Sequence, residues 1–107
     1  MKDWQHNKKK KKASFAGKFY PGNREELNQK LNNFFQQAKA EDKNKRKLQA
    51  LIVPHAGYVF SGLVAASAYN QIATDTIPER IFILASSHRY HFEGAAVYAE
   101  GNFETPL

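Results

Sequence analysis

Two histidines stand where their imidazole rings could bind one metal ion. His55 closely follows the apolar run that ends at Val53, and His88 closely follows the run that ends at Ala85. Neutral imidazole is a common ligand of zinc, iron and copper. Ligands of open α/β sheets bind beyond the carboxyl ends of the strands. The two rings are therefore predicted to meet at one edge of a sheet.

The spacing of strands in a sheet supports this pairing. Adjacent strands lie about 4.8 Å apart, and strands separated by one other strand lie about 10 Å apart. Either distance brings His55 and His88 to the same edge if the two strands are parallel. We therefore predict both as metal ligands and as catalytic residues. His91 is expected to be peripheral, and His6 belongs to the N-terminal tail.

Polar side chains near these histidines are candidates for substrate binding. They are Tyr58, Ser61, Ser87 and Arg89. Hydroxyl and guanidinium groups, together with the N-terminus of a helix opening at Ser61, would bind a carboxylate or a phosphate. Each residue also has a structural interpretation. Tyr58 would be a half-buried packing residue, the serines would be turn or cap residues, and Arg89 would be a solvated charge.

Two short apolar runs are predicted to be the strands that position the histidines. Residues 48–53 and 80–85 are almost continuously apolar, as is typical of parallel strands buried on both faces. Residues 61–73 between them are predicted to form a helix with Ser61 as its N-cap. A strand, helix and strand within about 38 residues have the length of a βαβ unit. A further short strand is predicted at 95–99.

An earlier helix is predicted to begin after a turn at Pro21 and Gly22, with Asn23 as its N-cap. It should run to about residue 39, because apolar residues recur along it with helical spacing. They are Leu27, Leu31, Phe34, Phe35 and Ala38. The predicted fold class is α/β, with a mainly parallel central sheet and flanking helices.

The net charge of +6 over 107 residues comes mostly from the N-terminus. The first 12 residues hold six lysines and one aspartate, so the other 95 are almost neutral. We expect residues 1–12 to be a disordered basic tail and 13–107 to be part of a single domain. A near-neutral body is not typical of a phosphate-binding face, and specific nucleic-acid binding is not expected. Weak attraction of the tail to RNA or anionic lipid stays open.

The composition excludes several other classes of protein. The chain has no cysteine, which excludes a disulfide scaffold and a cysteine-based zinc site. No apolar run approaches the length of a membrane span, and no apolar stretch follows the lysines as a secretory signal requires. We therefore expect a cytoplasmic protein without a membrane span.

Four motifs in order resemble those of one known family. Residues 54–62, PHAGYVFSG, closely resemble the PHAGYxYSG signature of the Memo family, known in bacteria and archaea as AmmeMemoRadiSam system protein B. Residues 16–21 are similar to its opening AGxFYP, and residues 104–107 to its ETPLG. The apolar run 80–84 precedes a serine-histidine pair, as it does in that family. The resemblance covers residues 13–107, with Ala85-Ser86 in place of the usual Gly-Pro.

The resemblance implies a fold similar to class III extradiol dioxygenases of the LigB type, which hold a non-haem metal. It implies that His55 and His88 match two metal-ligand histidines, with iron or copper, or else zinc, as the cofactor. It also implies a dioxygenase-like activity on an unknown small molecule. Family members are more than twice as long, and their remaining ligands lie beyond this chain. We therefore expect an incomplete, N-terminal part of the domain that is inactive by itself.

A second hypothesis treats the chain as a metal-free binding module. Ser61, Ser87, Arg89 and a helix N-terminus would then capture an anionic or phosphorylated peptide. Nucleic-acid binding through the lysine run is a third hypothesis, with a steep dependence on salt as its signature. The oligomeric state and the substrate are not predictable from these residues.

Overall fold

The computed structural model describes residues 9–38, 48–72 and 78–107. These contain strand β1 (Lys9–Lys11), helix α1 (Arg24–Gln37), helix α2 (Tyr58–Tyr69) and strand β2 (Gly101–Phe103). The helices pack against each other, and β1 pairs with β2 as a parallel two-stranded sheet. The content is that of an α/β protein, as the sequence predicts. Nothing in these elements tests the dioxygenase-like architecture.

Helix α1 begins where the sequence predicts. The Oδ1 atom of Asn23 accepts a hydrogen bond of 2.8 Å from the backbone N–H of Glu26, which otherwise lacks a helical partner. Leu27 on the predicted apolar stripe is 3% exposed. The helix ends at Gln37 with Ala38 as its C-cap, whereas the predicted end at residue 39 lies outside the described residues.

Helix α2 begins at Tyr58, earlier in the chain than predicted. Its N-cap is Gly57, and Ser61 lies within the first turn, so the prediction of Ser61 as the N-cap is wrong. The Ser61 hydroxyl donates to a backbone carbonyl oxygen before the helix instead of accepting from an N–H within it. The helix ends at Tyr69, and residue 73 of the predicted range is outside the described residues.

The two helices are joined by a close contact and by hydrogen bonds. At Gly62 the missing Cβ makes room for the ring of Phe34, which lies directly against the backbone of α2. The side-chain amide of Asn70 donates to the carbonyl oxygens of Phe35 at 3.1 Å and Ala38 at 3.3 Å. These carbonyls at the end of α1 would otherwise have no helical partner. The end of α2 therefore caps the end of α1.

Gly62→Ala is expected to lower the free energy of unfolding by about 1 kcal/mol. The added methyl would overlap the Phe34 ring. Overpacking of this kind costs roughly 1–3 kcal/mol, which exceeds the helix propensity gained from alanine. Urea denaturation measures the change. In a Phe34→Leu background the same substitution should be neutral or stabilising, and an equal loss there would contradict this packing.

The apolar runs 48–53 and 80–85 do not form the predicted strands. Ile52 is 99% exposed and Leu84 is 93% exposed. A strand needs neighbours that satisfy its backbone and cover its faces, and the described parts of the chain provide none for these runs. Residues 95–99 likewise form no strand, and β2 begins slightly later, at Gly101.

The last lysines of the predicted tail form a strand instead. Lys9 and Lys10 lie 3.6 Å and 3.7 Å from the carboxylates of Glu100 and Glu104. The ammonium of Lys11 lies over the rings of Tyr98 and Phe103, at 5.5 Å and 5.4 Å from their centroids. These charges and rings stabilise β1 beside β2, because each lysine meets an attractive partner there. Residues 1–8 of the predicted tail lie outside the described residues.

Neither described helix is long and apolar enough to cross a membrane. Helices α1 and α2 contain 14 and 12 residues, whereas a membrane-spanning helix needs about 20. The cytoplasmic location stays a prediction.

Candidate metal centre

The imidazole rings of His55 and His88 meet although 33 residues separate them in sequence. Their Nε2 atoms lie 3.0 Å apart, and their ring centroids lie 5.1 Å apart with an angle of 34° between the planes. Both side chains are exposed to solvent. The structure thus brings together the two residues that the sequence selects as ligands.

The separation of the two nitrogens suits either a shared proton or a shared metal ion. Without a metal, the Nε2–H of one ring donates to the Nε2 lone pair of the other, and the protonation of the two rings decides which one donates. Two imidazole nitrogens bound to one ion at about 2.0–2.1 Å lie about 2.8–3.4 Å apart for bond angles between roughly 90° and 109°. The observed 3.0 Å falls within this range.

The backbone that carries His55 is held by two hydrogen bonds. The Ser61 Oγ donates to the carbonyl oxygen of Ala56 at 2.8 Å, and the Tyr58 N–H donates to the carbonyl oxygen of Phe19 at 2.7 Å. A Cβ at Gly57 would lie 3.4 Å from that same Phe19 oxygen, which is ordinary van der Waals contact, so the two segments lie directly against each other. The turn after His55 is therefore fixed to the N-terminal segment and to α2.

The backbone that carries His88 is a turn closed by a serine. The Ser87 Oγ donates to the carbonyl oxygen of Tyr90 at 2.6 Å and accepts from its N–H at 3.3 Å. The structure therefore uses the hydroxyls of both Ser61 and Ser87 to bind backbone groups, which is the structural interpretation of these residues. Their predicted role in substrate binding is untested.

Tyr58 packs in an aromatic cluster between the two helices and the N-terminal segment. Its ring centroid lies 5.6 Å from that of Tyr20 and 6.2 Å from that of Phe34. Burial raises the pKa of the Tyr58 phenol above its ordinary value, and repulsion from Tyr20 and Tyr69 raises it further. The phenol is therefore neutral at physiological pH and can donate a hydrogen bond, but it is not an anionic metal ligand there.

Tyr58→Phe is expected to lose less thermal stability than the wild type as the pH rises above about 10. The folded state holds the Tyr58 proton more tightly than the unfolded state, so its contribution is complete below the unfolded pKa of about 10 and is lost as the pH rises above it. Thermal denaturation between about pH 8 and pH 11 measures this. Tyr90→Phe is the control, because Tyr90 is exposed. Equal pH dependence in both variants would contradict the assignment.

Ser87 and Arg89 flank His88 in the sequence, and His91 follows three residues later. Arg89 is exposed, as the interpretation of a solvated charge expects. Ser87 and His91 line an open cleft of about 400 Å³, which the sequence did not reveal; residues 83–87, 90–92 and 94–96 form it. No group of three His, Cys, Asp or Glu side chains within 9–38, 48–72 and 78–107 could hold a metal ion. The described residues thus bring together two candidate ligands, His55 and His88.

The role of Phe19 was missed in the sequence. Its carbonyl oxygen anchors the turn after His55, and its neighbour Tyr20 packs on Tyr58. A local signal for this contact existed, since both residues belong to the AGKFYP segment, which resembles a family motif. The partner of that segment, however, lies far along the chain and was not apparent.

Comparison with known proteins gives one family and several relatives. The family model described as Memo-like protein matches residues 11–107. A MEMO1 family protein of Pyrococcus furiosus is 41% identical over 97 residues, which are 91% of this chain and 32% of the relative. One from Thermococcus onnurineus is 44% identical over 92 residues, covering 86% of this chain and 31% of the relative.

A mammalian relative has a similar match. Protein MEMO1 of Rattus norvegicus is 37% identical over 97 residues, which are 91% of this chain and 31% of that protein. The chain thus spans about a third of the length of these relatives. No solved structure matches it significantly.

Proposed function

Because the chain belongs to the Memo-like protein family, we propose that it supplies two histidine ligands, His55 and His88, of a non-haem metal site. One observation carries the proposal, which is the 3.0 Å between their Nε2 atoms. Two exposed imidazole nitrogens that meet from distant segments have the separation expected of two ligands of one ion.

The proposed metal is iron or copper, with zinc as a further option, since imidazole binds all three. When bound, such an ion would supply a Lewis acid or a redox centre for an oxidoreductase-like reaction. Within this chain, His55 and His88 would hold it, and Tyr58, three residues after His55, would offer a neutral phenol as a hydrogen-bond donor. Catalytic sites usually have three protein ligands. We therefore propose that two ligands alone bind the metal weakly and give no turnover.

The alternative, a metal-free module for anionic or phosphorylated peptides, has less support. Such a module needs free donors, and the hydroxyls of Ser61 and Ser87 already donate to the carbonyl oxygens of Ala56 and Tyr90. Arg89 would be left as the main donor at an exposed position. An isolated exposed charge contributes little to affinity in water.

Metal loading tests the proposal. The chain would be dialysed to equilibrium without oxygen against Fe²⁺, and separately against Cu²⁺ and Zn²⁺, and the metal bound in excess of the dialysate measured by elemental analysis. We expect metal in the wild type and its loss from the His55→Ala, His88→Ala double variant. Replacing His6 and His91 by alanine is the matched control, since these histidines lie outside the pair. Equal metal content in both double variants would refute the proposal.

Titration with a phosphotyrosine peptide tests the alternative. We expect the metal-free chain to show no saturable binding of the peptide. The wild type and Arg89→Ala should therefore give the same titration. Binding that survives a chelator and the loss of both histidines would favour the module instead.

A further inference from the structure

Ser61 donates a hydrogen bond to the backbone beside His55. Its Oγ lies 2.8 Å from the carbonyl oxygen of Ala56, the residue directly after His55, and 3.5 Å from that of Gly57. Its side chain is 7% exposed, the one polar side chain that the described part of the chain buries. A buried hydroxyl donates its single proton to one partner. Here that partner belongs to the segment that carries a candidate ligand.

The contacts around Ser61 fix this segment from several sides. The Ser61 backbone N–H donates to the carbonyl oxygen of Gly57 at 3.1 Å, so one residue holds two consecutive peptide units. The N–H of Tyr58, in the second of these two peptide units, donates to the carbonyl oxygen of Phe19 at 2.7 Å. Since α2 begins at Tyr58, the position of His55 relative to this helix depends on these bonds. His55 itself is exposed and gains little from packing.

We propose that Ser61 is a positioning residue: its hydroxyl fixes the backbone at Ala56 and thereby holds the His55 imidazole against that of His88. The effect on metal affinity rests on the proposed function, whereas the effect on the ring pair does not. Ser61 is thus assigned to the support of a ligand instead of to the capture of a substrate. Groups that orient a ligand from outside the coordination sphere often change metal affinity about 10- to 100-fold when they are removed.

The helix α2 provides a matched control. The Oγ of Ser67 donates to the carbonyl oxygen of Leu63 at 3.0 Å, the same kind of bond in the same helix, in a turn that does not carry His55. Ser61→Ala and Ser67→Ala each remove one serine-to-carbonyl bond. A difference between them therefore reports the position and the burial of the bond, since the bond of Ser61 is part-buried and that of Ser67 is exposed.

Calorimetric titration with Cu²⁺ is the first measurement. Because Ser61 acts through the backbone, we expect Ser61→Ala to weaken Cu²⁺ binding about three- to tenfold. Ser67→Ala should change it less than about twofold, and so should Ser61→Ala in a His55→Ala background. Equal weakening by Ser61→Ala with and without His55 would overturn the proposal.

Nuclear magnetic resonance of the metal-free chain is the second measurement. Cross-relaxation between the ring protons of His55 and His88 reports their proximity directly. We expect the signal in the wild type and in Ser67→Ala, and its loss in Ser61→Ala. If Ser61→Ala does not fold, Ser61→Cys supplies a weaker donor of similar shape, and the same loss is expected.

The two measurements separate this proposal from the proposed function. If the wild type binds no Cu²⁺ but shows a ring signal that Ser61→Ala loses, the metal site is refuted and the positioning role stands. The positioning role is overturned if the wild type shows no ring signal, or if the Ser61 variants retain the full signal. It is also overturned if Ser67→Ala loses the signal to the same extent.

Discussion

His88→Ala is expected to lower the affinity of the chain for Cu²⁺ by more than about 100-fold, even though His55 remains in place. Loss of a group that only orients a ligand already costs about 10- to 100-fold, and His88 is proposed to be one of two direct ligands. With the Nε2 atoms 3.0 Å apart, their separation already matches that of two ligands of one ion. Calorimetric titration of the wild type and the variant measures the difference.

Chemical rescue makes this prediction specific to an imidazole ligand. His88 is exposed, so free imidazole can enter the space left by its side chain. Millimolar imidazole is expected to restore much of the Cu²⁺ affinity of His88→Ala and to leave the wild type unchanged. His91→Ala is the control, since it removes a nearby exposed ring and should change the affinity less than about threefold. A loss from His91→Ala equal to that from His88→Ala would contradict the assignment of His88.

Helix α1 was predictable because its signals are local. Asn23 accepts from the N–H three residues later, and Leu27 begins an apolar stripe with helical spacing. Both signals need only residues of the helix itself and its cap. The start of α2 was less evident. Ser61 has a side chain typical of an N-cap, but its hydroxyl donates to the carbonyl oxygen of Ala56. Whether this hydrogen bond forms depends on how the preceding turn folds.

The strands were predicted less successfully than the helices, because strand pairing depends on residues that are far away in the sequence. The apolar runs 48–53 and 80–85 have strand-like composition, yet the described residues give them no ladder. Conversely, Lys9–Lys11 lack any apolar pattern and still form β1 by pairing with Gly101–Phe103, with Glu100 and Glu104 beside its lysines. The histidine pair was nevertheless selected correctly as neighbours. Each follows the end of an apolar run, and the two rings meet although these runs form no sheet in the described residues.

Changing Phe82 and Leu84 to glutamate is expected to lower self-association of the isolated chain by more than about 100-fold. Both side chains are largely exposed, as are their neighbours Ile81 and Ile83. Continuous apolar patches of this kind are uncommon on monomeric proteins and promote association. Burial of one such side chain in a contact contributes about 1.5–3 kcal/mol, so two removed together account for the expected factor.

Sedimentation at several concentrations measures this change, and the fluorescence of a hydrophobic dye reports the exposed surface. Asn28→Glu with Asn32→Glu is the control, because it adds the same charge on the exposed face of α1, away from the patch. A wild-type chain that stays monomeric and binds no dye would contradict the exposure of these side chains. If the control variant lowers self-association equally, the effect comes from the change in net charge. A specific response to Phe82 and Leu84 would identify the run that precedes His88 as a surface that requires a partner. A partner bound to this run would lie beside the backbone that carries His88, and so beside the candidate metal centre.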